Sequence, residues 1–415
     1  MRALRYWLGL GACGVGAGVL TPAPVPAREP VNPVSGNNGF TVMVERDATL
    51  ASGGNEGTLA IGGDLVLAGD HRVALATAGS HVVGGDARPT ALVVGGRVAF
   101  GRSAATGRVA VLSRGHAKIG SLAGSVVMDT DDNGVPARTR VNATGGYEDP
   151  RRVELSVRQP AASVGPATVF DFRRLFDTYR ERAAALARCG SNVVPRDATG
   201  RPFPGGTIPP GSTVRIGLTR GVTNVVRTTG RNLAAIARLV FDRGPTAASP
   251  LLVVVDTTAE GGVLTWVPPA VTGIGGKQAR FVLFDFPDAV SITMPPGRGG
   301  TVKGTIYAPD ATLTDTNPAG IDGNVIVGSL VQGGPGSDGG RIRDLPFGAV
   351  LDCPAAARAG ARPPSGEAAV RLPSGGAAVR LPPGGAAVRW RRSSSAAGRV
   401  PGAAARAAAA DPGRG

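Results

Sequence analysis

Thr58-Leu59-Ala60-Ile61-Gly62-Gly63-Asp64-Leu65-Val66-Leu67 places two strand-sized apolar runs on either side of a glycine pair. Three or four apolar residues are too few for a stable helix and enough for a short strand, while paired glycines supply the dihedrals of a sharp corner. The grammar recurs. Leu92-Val93-Val94, Val98-Ala99-Phe100, Val109-Ala110-Val111-Leu112 and Val126-Val127-Met128 follow, and Gly84-Gly85 and Gly95-Gly96 repeat the corner 22 and then 11 residues further on. After residue 250 it returns in Leu251–Val255, Phe281–Phe284, Val302–Tyr307, Ala311–Thr314 and Val325–Val331. These runs predict an all-β dominated fold, an irregular β-solenoid in two sequence halves whose coils turn at similar corners.

Between the halves lies one helical pattern, at 171–188. Phe172, Leu175, Phe176, Tyr179, Ala183 and Leu186 repeat at three- and four-residue steps, with Arg173, Arg174, Asp177, Arg180 and Glu181 opposite. Asp171 can cap its first turn and Gly190 sits past its end. Such an aromatic stripe is expected to pack along the flank of the stacked strands. Asn232 to Asp242 reads as a second, shorter helix or as the opening of a strand at Leu239-Val240-Phe241.

The chain of 415 residues is 42% hydrophobic and 18% charged, which excludes wholesale disorder and allows a sizeable core. Its 64 Gly and 34 Pro exclude long helical bundles, and 4% aromatics require a core of Val, Ile, Leu and Ala. Residues 1–27 read as an export signal: Arg2 and Arg5, an apolar stretch from Tyr6 to Leu20, and Val25-Pro26-Ala27 with cleavage after Ala27. Residues 28–38 read as a linker, 39–353 as the folded domain. From 354 to 415 a nine-residue Ala-Ala-Val-Arg repeat, rich in Pro and Gly, reads as a disordered tail without a membrane span. Ten arginines there against Glu367 and Asp411 give a local charge of +8, about half of the +15 total. That attracts polyanions generally and names no specific nucleic acid. Cys189 and Cys353 remain after signal removal, either one disulfide in an oxidising compartment or two free thiols.

No reactive constellation stands out. Gly9, Gly11 and Gly14 form a dinucleotide-type pattern inside the export signal, where no strand and helix flank it. His71, His81 and His116 lack metal-ligand spacing. Asp129-x-Asp131-x-Asn133-Gly134 matches the first half of a calcium loop, but its twelfth position is Arg140, so a polar hairpin turn is the competing reading. Asp256, Asp285, Asp288, Asp310 and Asp322 are scattered acids whose spacing names no catalytic pair. A flat threonine face would appear as Thr-x-Thr rungs, and Thr312-Leu313-Thr314 with Thr316 is the one such place. No residue is therefore expected to serve catalysis, a cofactor or a metal.

Glu56-Gly57-Thr58-Leu59-Ala60-Ile61-Gly62-Gly63-Asp64, the helix from Asp171, Phe284-Asp285-Phe286-Pro287-Asp288-Ala289, Gly304-Thr305-Ile306-Tyr307-Ala308-Pro309-Asp310-Ala311, Ile321-Asp322-Gly323-Asn324-Val325-Ile326-Val327-Gly328 and Leu345-Pro346-Phe347 resemble, in order, the choice-of-anchor A domain of bacterial surface proteins. The resemblance covers residues 39–353 and implies an exported adhesive domain of strand-solenoid architecture, with no catalytic motif to carry over. Leu372-Pro373-Ser374-Gly375-Gly376 and Leu381-Pro382-Pro383-Gly384-Gly385 lack the threonine of a sortase signal. The expectation is a secreted or surface-associated, non-enzymatic protein binding glycan, matrix or an envelope polyanion. A polysaccharide-active solenoid enzyme and a passive envelope spacer are the alternatives.

Overall fold

A computed structural model describes residues 30–297, 299–334 and 339–353. The expected signal segment with Ala27, and the arginine-rich stretch from 354, lie outside the described residues. Within them the chain is mostly short strands paired in parallel, the ladder that a β-solenoid requires.

Three long ladders line the coils, with a shorter parallel set of Ser212–Ile216, Ile236–Phe241 and Ala270–Thr272 beside them. The first runs through Asn224–Thr229, Leu251–Asp256, Val282–Asp285, Thr305–Asp315, Val325–Gln332, Val42–Val44, Leu59–Ile61, Thr90–Val94 and His116–Ile119. The long strands Thr305–Asp315 and Val325–Gln332 turn a corner and continue into a second ladder with Val263–Thr265, Ser291–Met294, Ala48–Leu50 and Leu65–Leu67. The third carries Val302–Lys303, Ile321–Asp322, Arg341–Arg343, Gly53–Asn55, Asp70–Val73, Arg108–Val111 and Arg152–Leu155, and ends in the antiparallel hairpin Val126–Thr130/Pro136–Asn142. Alternate residues point inward, so Val44, Ile61, Val94 and Ile119 stack with Leu50, Leu67, Val111 and Leu330 in one aliphatic interior. Each such side chain contributes roughly 1.5–3 kcal/mol of burial.

The two sequence halves form one ladder. Val42, Met43 and Val44 pair in parallel with Val325, Ile326 and Val327, and Gly54 and Asn55 with Arg341 and Ile342. The first coil therefore stacks on the last, covering two strand edges that would otherwise be open. Asn324 fastens the junction: its Nδ2 donates to Phe40 O (3.3 Å) and Thr41 O (3.0 Å), and its Oδ1 accepts from Phe347 N (2.7 Å).

The corner glycines stack as expected at Gly62-Gly63 and Gly95-Gly96, where Gly95 N donates to Ile61 O. The next corner is Gly120-Ser121, and a Cβ on Gly120 would lie 1.9 Å from Gly95 O, so only glycine fits. Gly84-Gly85 differs: it belongs to an excursion between Val73 and Thr90 and meets nothing.

The helix is Phe172–Leu186, with Asp171 accepting from Arg174 N at 3.0 Å. It crosses the first ladder: Phe172 lies over Gly62, Tyr179 meets Tyr307 edge-on at 5.8 Å, and Arg227 donates to Ala187 O beyond the helix end. At 1.5 Å per residue it spans about 22 Å, or four to five strand spacings. Buried Phe176, Tyr179, Ala183 and Leu186 meet Met43, Ala60, Val225, Leu252, Leu283 and Ile326, the outward side of that ladder. Residues 232–242 split both ways, a short helix Gly230–Ala234 followed by strand Ile236–Phe241.

Residues 30–38, expected as a linker, are instead a packed strap. Val34 is buried, Tyr307 Oη donates to Pro33 O (3.2 Å), and Arg182 donates to Pro33 O and Ser35 O. Both ladder ends are covered as well. Asn192 and Val193 N–H groups donate to Val225 O, and the Gln159 amide pairs with both Ala117 N and Ala117 O at 2.9 Å in place of another strand.

Candidate binding face

The second ladder has no helix across it. Its inward residues are Leu264, Ile292, Leu313, Leu330 and Ala48, so the intervening positions turn outward, exposed or half-buried except for Val66 at the end, which is buried. Register aligns them in two rows: Val263, Ser291, Thr312 and Ser329 in one, and Thr265, Thr293, Thr314, Val331, Thr49 and Val66 in the other. All ten carry hydroxyls or methyls and none is charged. Parallel strands space neighbours in a row by about 4.8 Å, and alternate residues along a strand by about 6.6 Å, which gives a flat two-dimensional lattice. Threonine and valine are β-branched and stiff at χ1, so little side-chain freedom is left to lose on contact.

The hydroxyls of Thr49, Thr265, Ser291, Thr293, Thr312 and Thr314 donate to no protein acceptor among the described residues. Ser329 Oγ accepts from Arg46 Nε at 3.2 Å. Charge begins at the rim, where Arg102 bridges Asp47 (3.1 Å) and Asp64 (2.9 Å). Of this face, the sequence marked the Thr312-x-Thr314 rung alone.

The other candidates fall elsewhere. Cys189 and Cys353 are joined in a disulfide at the end of the helix. Asp131 Oδ1 accepts from Asn133 N and Val135 N (2.9 Å each), and Asp129 pairs with Arg158 at 3.2 Å, so the calcium-like stretch is a self-bonded hairpin turn. The histidines lie apart. His71 is inside the coils, His81 stacks on Phe170 at 5.9 Å, and His116 faces Asp86 at 3.5 Å. Among the described residues no group of three or more His, Cys, Asp or Glu is placed to hold a metal.

Asp310 pairs with Arg180 at 2.6 Å and Asp322 with Lys303 at 2.5 Å. Asp256, Asp285 and Asp288 do come together. Thr258 hydrogen bonds hold Asp256 below the ordinary carboxylate range; burial, with Asp256 beside it, lifts Asp288 above it. Asp285 is wholly buried, which raises its carboxyl far above that range, and Asp288 adds to the effect. Carboxyls pushed apart in this way can divide acid and base roles.

A family model described as "Putative Ice-binding-like adhesive domain" matches residues 33–337, and the chain belongs to that family. The match includes residues 33–38 of the strap and the whole flat face; the strand Arg341–Arg343, which lies between Ile321–Asp322 and Gly53–Asn55 in the third ladder, is just beyond it. No curated protein and no solved structure matches the chain.

Proposed function

We propose that this chain is an exported, non-enzymatic adhesin of the bacterial surface or its surroundings, and that it meets repeating external polymers, glycan or matrix, through the Ser/Thr/Val face. The carrying observation is the lattice of unpartnered hydroxyls and methyls on rigid parallel strands. A repetitive ligand would meet many weak, pre-aligned contacts there, each adding little and together lowering dissociation. Membership in an adhesive-domain family and the resemblance to choice-of-anchor A domains support an extracellular setting. No described helix is long and apolar enough to cross a membrane.

The test is binding of the purified chain to a glycan array, immobilised matrix proteins and ice, compared with Thr293→Glu/Thr314→Glu. Loss of binding with an unchanged melting temperature supports the face; binding that survives the double substitution removes it. The enzyme alternative keeps one observation, the Asp256–Asp288 pair above buried Asp285. Turnover of acidic polysaccharides that disappears in Asp288→Asn would favour that alternative.

A further inference from the structure

The geometry points to a second binding site: an arginine pocket on the third ladder that takes the anionic substituents of an acidic polysaccharide. A cavity of about 270 Å³ is lined by Arg108, Arg138, Arg140 and Arg152, with Glu154 the one acid in its wall. The strands Arg108–Val111, Pro136–Asn142 and Arg152–Leu155 present these side chains on the ladder's outer side, opposite buried Val109, Val141 and Val153.

Three of the four guanidinium groups are held in place. Arg108 contacts Glu154 at 3.3 Å and Asp70 at 3.1 Å; Arg152 contacts Glu154 at 2.7 Å and Asp149 O at 2.9 Å. Arg140 meets Glu148 at 2.9 Å and lies over the Tyr147 ring at 3.9 Å. Arg138 is exposed and has no ion pair among the described residues. Three held guanidinium groups and the unpaired Arg138, set against Glu154 in the wall and Asp70 and Glu148 beside it, leave the well positive by one charge, with planar forks that match carboxylate and sulfate oxygens.

The pocket ends a track. Parallel register aligns Arg341, Gly54, Arg72, Ala110 and Glu154, and the antiparallel hairpin adds Arg140. Arg341 and Arg72 are exposed and unpaired among the described residues, two strands or about 9.6 Å apart. An extended polyanion running across the strands would meet them in turn before reaching the pocket. The cavity is smaller than a drug-sized ligand needs, so it suits one charged sugar unit or substituent. No aromatic ring lines it, which argues against single-stranded nucleic acid, whose bases need stacking partners.

Titrations of the full-length chain with size-defined oligogalacturonate, a heparin oligosaccharide and a single-stranded oligonucleotide of equal charge test this and separate carboxylate from sulfate. Arg72→Glu/Arg138→Glu should weaken at least one of the two glycans by about tenfold or more at unchanged melting temperature. Arg220→Glu/Arg238→Glu, the same charge change at exposed arginines elsewhere, should leave affinity within about twofold. Equal losses in both variants, glycan binding that is absent or unchanged, or oligonucleotide binding tighter than both glycans would each overturn the proposal. The Ser/Thr/Val face is intact in both variants, so its failure would be read separately.

Discussion

Ile326 lies beside Met43 in parallel register, though 283 residues separate them, and both carry their side chains under the helix. The contact exists because the chain runs outward from its first coil, returns along the helix and winds back to the start. Residues at this junction therefore hold together parts of the molecule that local sequence cannot.

Asn324→Ala removes three buried hydrogen bonds and orphans Phe347 N, while Phe40 O keeps Asn37 Nδ2 and Thr41 O keeps Val325 N as donors. A loss of roughly 2–4 kcal/mol is expected. Urea unfolding should show a lower midpoint at unchanged slope; a midpoint equal to that of the parent would mean that Asn324 does not fasten the junction.

Lys118 Nζ sits 2.9 Å from Asp86, and both side chains are nearly inaccessible. Asp86→Ala strands a buried ammonium, with an expected cost of about 3–5 kcal/mol. Adding Lys118→Met should recover most of it. A double variant as unstable as the single would refute the pairing.

Two interior groups give stability opposite pH slopes. Burial raises the Asp315 carboxyl to about 7, so the folded chain keeps a proton that the unfolded chain releases. Its contribution is full below the unfolded value and is lost as pH rises through about 7, roughly 4 kcal/mol in all. Burial lowers His71 to about 4, with the nearby Ala51 backbone opposing part of the shift. Its contribution is full above about 6.5 and is lost as pH falls toward 4. Asp315→Asn should therefore gain on the parent by about 3 kcal/mol between about pH 5 and about pH 8 in a denaturant series. His71→Leu should gain on the acid side. Parallel pH profiles for parent and variants would contradict both assignments.

Reducing the Cys189–Cys353 disulfide opens a loop of 164 residues. Chain entropy puts the cost at about 5 kcal/mol, readable as a reductant-dependent drop in melting temperature. No shift under reductant would mean that the crosslink contributes nothing in solution.

The helix was legible because Phe172 to Leu186 repeats its apolar residues over four turns, long enough for the period to register. The corners were legible at Gly62 and Gly95, where backbone must approach backbone. Gly84-Gly85 has the same spelling in a loop, so glycine pairs alone cannot tell a stacked corner from an excursion. The Ser/Thr/Val face was mostly hidden. Its rungs read Val263-x-Thr265, Ser291-x-Thr293, Thr312-x-Thr314 and Ser329-x-Val331, three-residue fragments some 20 residues apart, and only coil register makes them a surface. The arginine pocket was hidden for the same reason, since Arg108, Arg138 and Arg152 are neighbours through strand pairing alone.

Cys353 closes the described chain, and its sulfur returns any tension applied from beyond it to Cys189, at the foot of the helix. A pull in that direction cannot peel the final coils one by one, because the slack in the intervening segment is locked. Tension entering there bypasses residues 190–352 and reaches the rest of the chain at the end of the helix.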